Sequence, residues 1–239
     1  MKNLFLSICC LLWLNLVFAQ DVSAVGMQNE FNEISKYGRL QTSAQGFQSY
    51  SSGIVNGSQF YYPNWIPGSV ITADKELIKN DKYVFLFDKV RQELFIKIKN
   101  SDSVLLADKN QIYSFTLYAA DKPSVFEPAS HFDPNKKGIF YTVLVKNENA
   151  YTLLKSVKTT LIKANGYDME KIKAGNNYDE FKDEITYYIS HKNGLPQKVD
   201  LKEKSIKKVF SNTKQIQDHL QQNETDKIDE QFLIRLIQN

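Results

Sequence analysis

From Gly53 to about Leu201, apolar side chains recur at every second position in run after run, and no link between the central runs can hold a crossover helix. Leu94, Ile96 and Ile98 alternate with Glu93, Lys97 and Lys99; Tyr113, Phe115 and Leu117 alternate with Ser114 and Thr116. Ile139, Tyr141, Val143 and Val145 repeat the pattern, and Tyr151, Leu153, Val157 and Leu161 keep it with a break at Lys155. Ile185, Tyr187 and Ile189 form a late run. A period of two gives a strand one apolar face. Tyr83 to Phe87 is apolar throughout, which predicts cover on both faces, and Val70-Ile71-Thr72 predicts a shorter strand after Pro67-Gly68.

The links at Asp88–Arg91, Asn100–Asp102 and Lys146–Asn149 are tight and polar, and Asn193-Gly194 is a strong hairpin signal joining Glu184–Ser190 to Leu195–Leu201. Short links pair successive strands antiparallel. The predicted class is α+β, mainly β: an antiparallel meander of about eight to ten strands forming a curved sheet, half-barrel or barrel, followed by a C-terminal helical hairpin. Two connections are longer. Ala119 to Gly138 carries Pro123, Pro128 and Pro134 and reads as an extended loop; Asn165 to Asp183 is charged and reads as a loop with a short helix near Tyr178–Phe181.

Near the end the period changes. Ile206, Val209, Phe210, Thr213, Ile216 and Leu220 fall at helical spacing. A second helix is expected from Thr225 or Asp226, with Asp229 and Glu230 in its first turn, Arg235 near its end, and Ile228, Phe232, Leu233, Leu236 and Ile237 on its apolar side. The short link around Gln222–Glu224 predicts an antiparallel pair. Phe210, Leu220, Phe232 and Leu236 are the residues expected to bury.

The first residues carry an address signal. Met1-Lys2-Asn3 is a positive start, Leu4 to Val17 is apolar apart from Ser7 and Asn15, and small Ala19 precedes Gln20. This is the layout of a secretory leader cut after Ala19. The organisation expected is 1–19 signal peptide, 20–52 irregular lead-in with a helical turn at Met27–Ile34, 53–201 antiparallel β domain, and 202–239 helical hairpin packed on the sheet. The two cysteines, Cys9 and Cys10, both lie in the leader, so the exported chain is expected to have no thiol. Ile8 before Cys9 does not suit a lipid-anchor signal, which wants a small residue there. Thirty basic and 27 acidic residues interleave, which gives no support for nucleic-acid binding or a polybasic membrane patch. No second apolar run is long enough for a membrane helix after the leader, and peripheral membrane association stays open.

A resemblance follows from particular stretches. Asn56-Gly57-Ser58 and the run from Tyr61 to Val70, then Phe87 to Leu94, and the Lys-rich helical end resemble a family of small exported Bacteroidota proteins. The likeness covers most of 53–239. It implies a β-meander body with a C-terminal helical hairpin and a location in the periplasm, at the outer-membrane periphery or in the medium. That family carries no catalytic residue to transfer.

The residues themselves restrict the chemistry. Without a mature cysteine, thiol catalysis has no nucleophile, and no serine lies in Gly-x-Ser-x-Gly. No phosphate loop, dinucleotide fingerprint or zinc spacing occurs, so no cofactor is expected. His191 and His219 read as surface residues. Glu127, His131 and Asp133 share the proline-rich connection and are weak candidates for a divalent ion, against an exposed polar loop. Asp88 with Glu93, and Asp74 with Glu76, are acids at turns that a glycosidase would need across a groove. Tyr61, Tyr62 and Trp65, with Phe60, form an aromatic group that serves either as a ligand- or partner-contact surface or as a plug at one end of the sheet. Asp102-Ser103-Val104 fits an O-glycosylation pattern of exported Bacteroidota proteins, which would modify Ser103.

The function expected is that of a non-catalytic envelope protein, a binding or accessory module of a periplasmic or outer-membrane assembly with an envelope protein partner. The alternatives are a carrier of a lipid or other apolar ligand inside a curled sheet, and an envelope glycan hydrolase.

Overall fold

The structure is a computed structural model that describes residues 32, 34–41, 55–101, 103–120, 122–147, 150–164, 169–170, 177–192, 194–210, 217, 220 and 227–238. The leader with Cys9 and Cys10, the turn beginning at Met27, and Asp102, Asn193, Thr213, Ile216, His219, Thr225, Asp226 and the link at 222–224 lie outside the described residues.

The fold is α+β, mainly β, with curved sheets that do not close into a barrel. Thirteen strands are found among the described residues: β1 (Gly38–Gln41), β2 (Val55–Asn56), β3 (Gly68–Thr72), β4 (Leu77–Ile78), β5 (Tyr83–Asp88), β6 (Glu93–Ile98) and β7 (Val104–Ala107), then β8 (Ile112–Tyr118), β9 (Pro123–Pro128), β10 (Phe140–Val145), β11 (Tyr151–Ile162), β12 (Asp179–His191) and β13 (Gln197–Val199). Helices α1 (Glu203–Val209) and α2 (Glu230–Gln238) follow. From β8 to β13 the chain is an uninterrupted antiparallel meander. The meander is not continuous before that. Strands β5, β6 and β7 leave it and join β1 in a separate four-stranded sheet ordered β1-β7-β6-β5, so that β3 pairs with β8. The larger sheet runs β13-β12-β11-β10-β9-β8-β3-β4, and β2 adds in parallel beside the start of β12.

The reason for two sheets lies in β5 and β6, which are apolar on both faces. Phe85, Phe87, Leu94, Ile96 and Ile98 face the main core with Phe115, Phe126 and Phe140 of the larger sheet. Leu86, Phe95 and Val104 point the other way and are covered by Phe60, Trp65 and Leu106. A sheet that needs burial on both faces cannot remain in a single layer with one face in water. The segment before β3 completes it: Tyr61 N–H donates to Phe87 O, and Ile66 and Phe85 exchange backbone bonds, closing the free edge of β5.

Four local expectations are corrected. Ala119 to Gly138 is not one extended loop, because Pro123–Pro128 is strand β9, paired with β8 and β10. Its prolines stand at the two ends, where a missing N–H costs the ladder least. There is no helix at Tyr178–Phe181; Asp179 begins the 13-residue β12. The charged stretch there does not read as a strand because Glu180, Phe181 and Lys182, opposite Ile162, Leu161 and Thr160, lie half-exposed or exposed, so no apolar alternation marks it. The expected irregular lead-in contributes β1, which pairs with β7. Helix α2 starts at Glu230, later than expected, because Asp229 is its cap: the Asp229 carboxylate accepts the Phe232 N–H at 2.9 Å.

Both helices lie on the larger sheet. Ile206, Phe210, Leu220, Phe232, Leu233 and Leu236 are buried against Leu153, Tyr187 and Ile189. Lys155, the break in the β11 alternation, keeps the pattern by facing α2: its ammonium is 2.7 Å from Glu230, which also accepts the Tyr187 hydroxyl at 3.0 Å. Burial and the neighbouring Glu230 carboxylate push the Tyr187 hydroxyl far above its ordinary pKa. Burial likewise takes Tyr141 to about 12.

The β5–β6 turn is polar in sequence, yet its Asp88 and Lys89 are buried. Asp88 is fully inaccessible and accepts the N–H groups of Val90 at 2.8 Å and Arg91 at 3.0 Å. Lys89 reaches the larger sheet, 2.6 Å from Asp183, whose other oxygen accepts the Thr159 hydroxyl at 2.6 Å. The Gln92 amide oxygen accepts the Phe140 N–H at 2.9 Å. The turn therefore fastens one sheet to the other. Desolvation raises the Asp88 pKa above its ordinary 3.8, more than its two backbone bonds lower it. A raised carboxyl pKa means that the folded protein holds a proton the unfolded chain releases, so this group's stabilisation is lost as pH rises through the folded value. Asp88→Asn removes that titration. Measured from below pH 3.8 upward, the melting temperature of Asp88→Asn should gain on that of the parent as pH rises; a constant difference would show that Asp88 does not titrate there.

Candidate functional site

An open cleft of about 1100 Å³ is lined by residues of both sheets. The smaller sheet supplies Arg39 on β1, Glu93 on β6 and Leu106 on β7; the larger supplies Tyr113 on β8, His131 and Lys137 between β9 and β10, and the floor residue Phe140. The β7–β8 link crosses its base as a single 3-10 turn, Lys109–Gln111. Asp108 caps that turn by accepting the Asn110 N–H at 2.9 Å, and its own N–H donates to Tyr37 O at 2.9 Å. Lys109 reaches across to donate to Arg91 O at 2.8 Å. Ala73 N–H donates to Gln111 O at 2.9 Å. These bonds tie the base to three neighbouring segments and hold the walls in place.

The charges divide unevenly. Glu93 lies 3.8 Å from the Arg91 guanidinium and Asp108 is used as a cap, whereas Arg39 and Lys137 are exposed with no ionic partner among the described residues. At the outer edge, Lys36 pairs with Glu76 at 3.5 Å, and the Tyr37 hydroxyl donates to Glu76. That hydrogen bond, with the Lys36 charge, holds the Glu76 carboxyl below the usual range.

Of the three weak metal candidates, His131 and Glu127 meet and Asp133 does not complete a group of three. His131 closes the 3-10 turn Ala129–His131, its ring 4.6 Å from that of Tyr113, and its Nδ1 is 3.5 Å from Glu127. Buried Glu127 is bound by the Lys146 ammonium at 2.7 Å, and Asp133 accepts the Asn135 N–H at 3.0 Å within its own turn. Among the described residues no three His, Cys, Asp or Glu side chains are gathered as a metal site. Asp88 and Glu93 are cross-strand neighbours, with Asp88 sealed from solvent. His191 stacks on Tyr151 at 4.6 Å.

The aromatic group is split between two faces. Tyr61 and Tyr62 pack on the main core; the Tyr61 ring meets Phe126 edge-on at 4.9 Å, and the Tyr62 hydroxyl is 2.8 Å from Ser124 Oγ. Trp65 and Phe60 cover Leu86 and Phe95 on the far side of the smaller sheet. All four rings thus lie away from the cleft. Ser103 is exposed in the β6–β7 turn, its N–H donating to Ser101 Oγ at 3.1 Å.

Arg39, Lys109 and Lys137, three of the cleft's basic residues, have no motif in common. They come from three segments separated by tens of residues, and each reads alone as an ordinary surface cation. Comparison of the chain with known protein families, characterised proteins and solved structures finds no match. Among the described residues, no helix is long and apolar enough to cross a membrane.

Proposed function

We propose that this chain is a non-catalytic, exported binding module of the cell envelope, and that its contact surface is the cleft lined by both sheets. The observation that carries this is the cleft's construction: a rigidly tied base, walls from both sheets, and acids already committed to structural partners. A general acid or base needs a carboxyl free to exchange a proton with its substrate. The carrier alternative is weakened by the interior, where Phe87, Phe115, Phe126 and Phe140 fill the space between the sheets with ring centroids 4.5 to 5.9 Å apart. Export rests on the charged-apolar-small pattern of residues 1–19.

A photo-cross-linking side chain placed at Asn110, compared with one at exposed Lys204 on α1, tests the surface in producing cells. Adducts with envelope material at position 110 and not at 204 are the expected result. Equal adducts at both positions, or adducts at 204 alone, would remove the cleft from the proposal. Time-dependent cleavage of envelope polymers by the purified chain would replace binding with catalysis.

A further inference from the structure

We infer that the ligand of this cleft is an acidic oligosaccharide, gripped at its carboxylates by Arg39 and Lys137 and at its hydroxyls by Asn110, Gln111 and Ser130. The inference deepens the binding-module reading and rests on it.

The first support is electrostatic. Over the whole chain the charges nearly cancel, with 30 basic and 27 acidic residues. The cleft departs from that balance: Lys36, Arg39, Lys109 and Lys137 line it against only Glu93 and Asp108. Glu76 offsets Lys36 and Arg91 offsets Glu93, Asp108 keeps its charge while capping the turn, and Arg39, Lys109 and Lys137 leave the lining positive, with Arg39 on the smaller sheet and Lys137 beside the larger. A concave surface with low-dielectric walls concentrates such a field and draws anions to it.

The second support is the neutral lining. Asn110, Gln111 and Ser130 supply amide and hydroxyl groups in the same lining as the two exposed cations. Amides donate and accept at once, which suits vicinal sugar hydroxyls, while a guanidinium fork suits a carboxylate. The volume, about 1100 Å³, lies at the upper end of small-ligand sites and asks for an oligomer rather than a single sugar. A nucleic-acid strand is a poorer fit, because it would need open aromatic faces for its bases. The cleft's tyrosine, Tyr113, has His131 against its ring at 4.6 Å and the Lys75 ammonium over it.

Calorimetric titration of the purified full chain with three probes tests this. Tetragalacturonate carries carboxylates and hydroxyls, its fully methyl-esterified form carries hydroxyls without charge, and tetraglutamate carries carboxylates on a peptide. Tetragalacturonate should bind, more weakly as salt is added, and the other two should bind at least about tenfold less tightly, the scale of one lost charge-assisted hydrogen bond. Arg39→Ala and Lys137→Ala should each weaken binding by about tenfold at unchanged melting temperature, with Lys204→Ala as the silent control. Equal binding of tetraglutamate would make the surface one for acidic peptides. Equal binding of the ester would remove charge from the argument. No binding of tetragalacturonate overturns the inference outright. Adducts at position 110 would then still stand for a cleft that binds another chemistry, so the two failures are told apart.

Discussion

Phe210→Ala should lower the unfolding midpoint sharply, at a cost of about 3–5 kcal/mol, a large part of a domain's total of about 5–15 kcal/mol. Phe210 ends α1 and is fully buried, with its ring edge-on to Tyr151 at 4.8 Å. It packs with Ile206, Leu220 and Phe232 over Leu153 and Tyr187. A helix of seven residues has no independent stability in water, so α1 exists because this face is covered. Removing the ring takes away apolar burial and leaves a void that a tightly packed site refills poorly. Chemical denaturation gives the size of the loss, and amide exchange gives its location, which should be α1 and α2 first. An unchanged midpoint together with unprotected helix amides would mean that the helices do not belong to the core.

Phe126→Ala should be at least as costly, again about 3–5 kcal/mol for the cavity, with a further contribution of about 0.5–1.5 kcal/mol from each aromatic pair that the substitution breaks. Phe126 stacks on Phe115 at 4.5 Å and meets Tyr61 at 4.9 Å and Phe87 at 5.1 Å. Phe87 belongs to the smaller sheet and Phe115 to the larger, so this one ring joins the two layers. Its loss should loosen the sheet-to-sheet packing that sets the cleft walls. The expected signature is a lowered midpoint combined with weakened binding at the cleft, whereas Phe210→Ala, over β11 to β13 and outside the cleft lining, should lower the midpoint and spare binding. If Phe126→Ala left both unchanged, the two sheets would not depend on each other as their packing implies.

The β character of the chain was legible because a period of two is a local property. Leu94, Ile96 and Ile98 announce an inner face whatever the strand pairs with, and all three are buried. The helix faces were legible for the same reason, and Phe210, Leu220, Phe232 and Leu236 bury as their spacing demands. Strand β9 was hidden because Pro123 and Pro128 look like loop residues until their places at the strand ends are known. The first half of β12 was hidden because Glu180, Lys182 and Asp183 stand opposite Ile162, Thr160 and Thr159 of β11, and no apolar alternation marks it. The cleft left no trace at all. Arg39 sits in a four-residue strand whose partner lies about 67 positions away, at Leu106.

By itself the sequence determined the antiparallel β class, the β10–β11 and β12–β13 hairpins and the apolar stripes of the helices, because each is written within a window of a few residues. Only the tertiary structure decided that β5 to β7 leave the meander, since that choice depends on what covers the outer face of Leu86 and Phe95, and the cover is Phe60 and Trp65 from a distant segment. The same choice divides Tyr61 from Trp65, buries Asp88 in a turn that reads as surface, and brings residues of both sheets around one cleft. Burial of a sheet's second face is a meeting of parts remote in the chain, and no local pattern encodes which parts will meet.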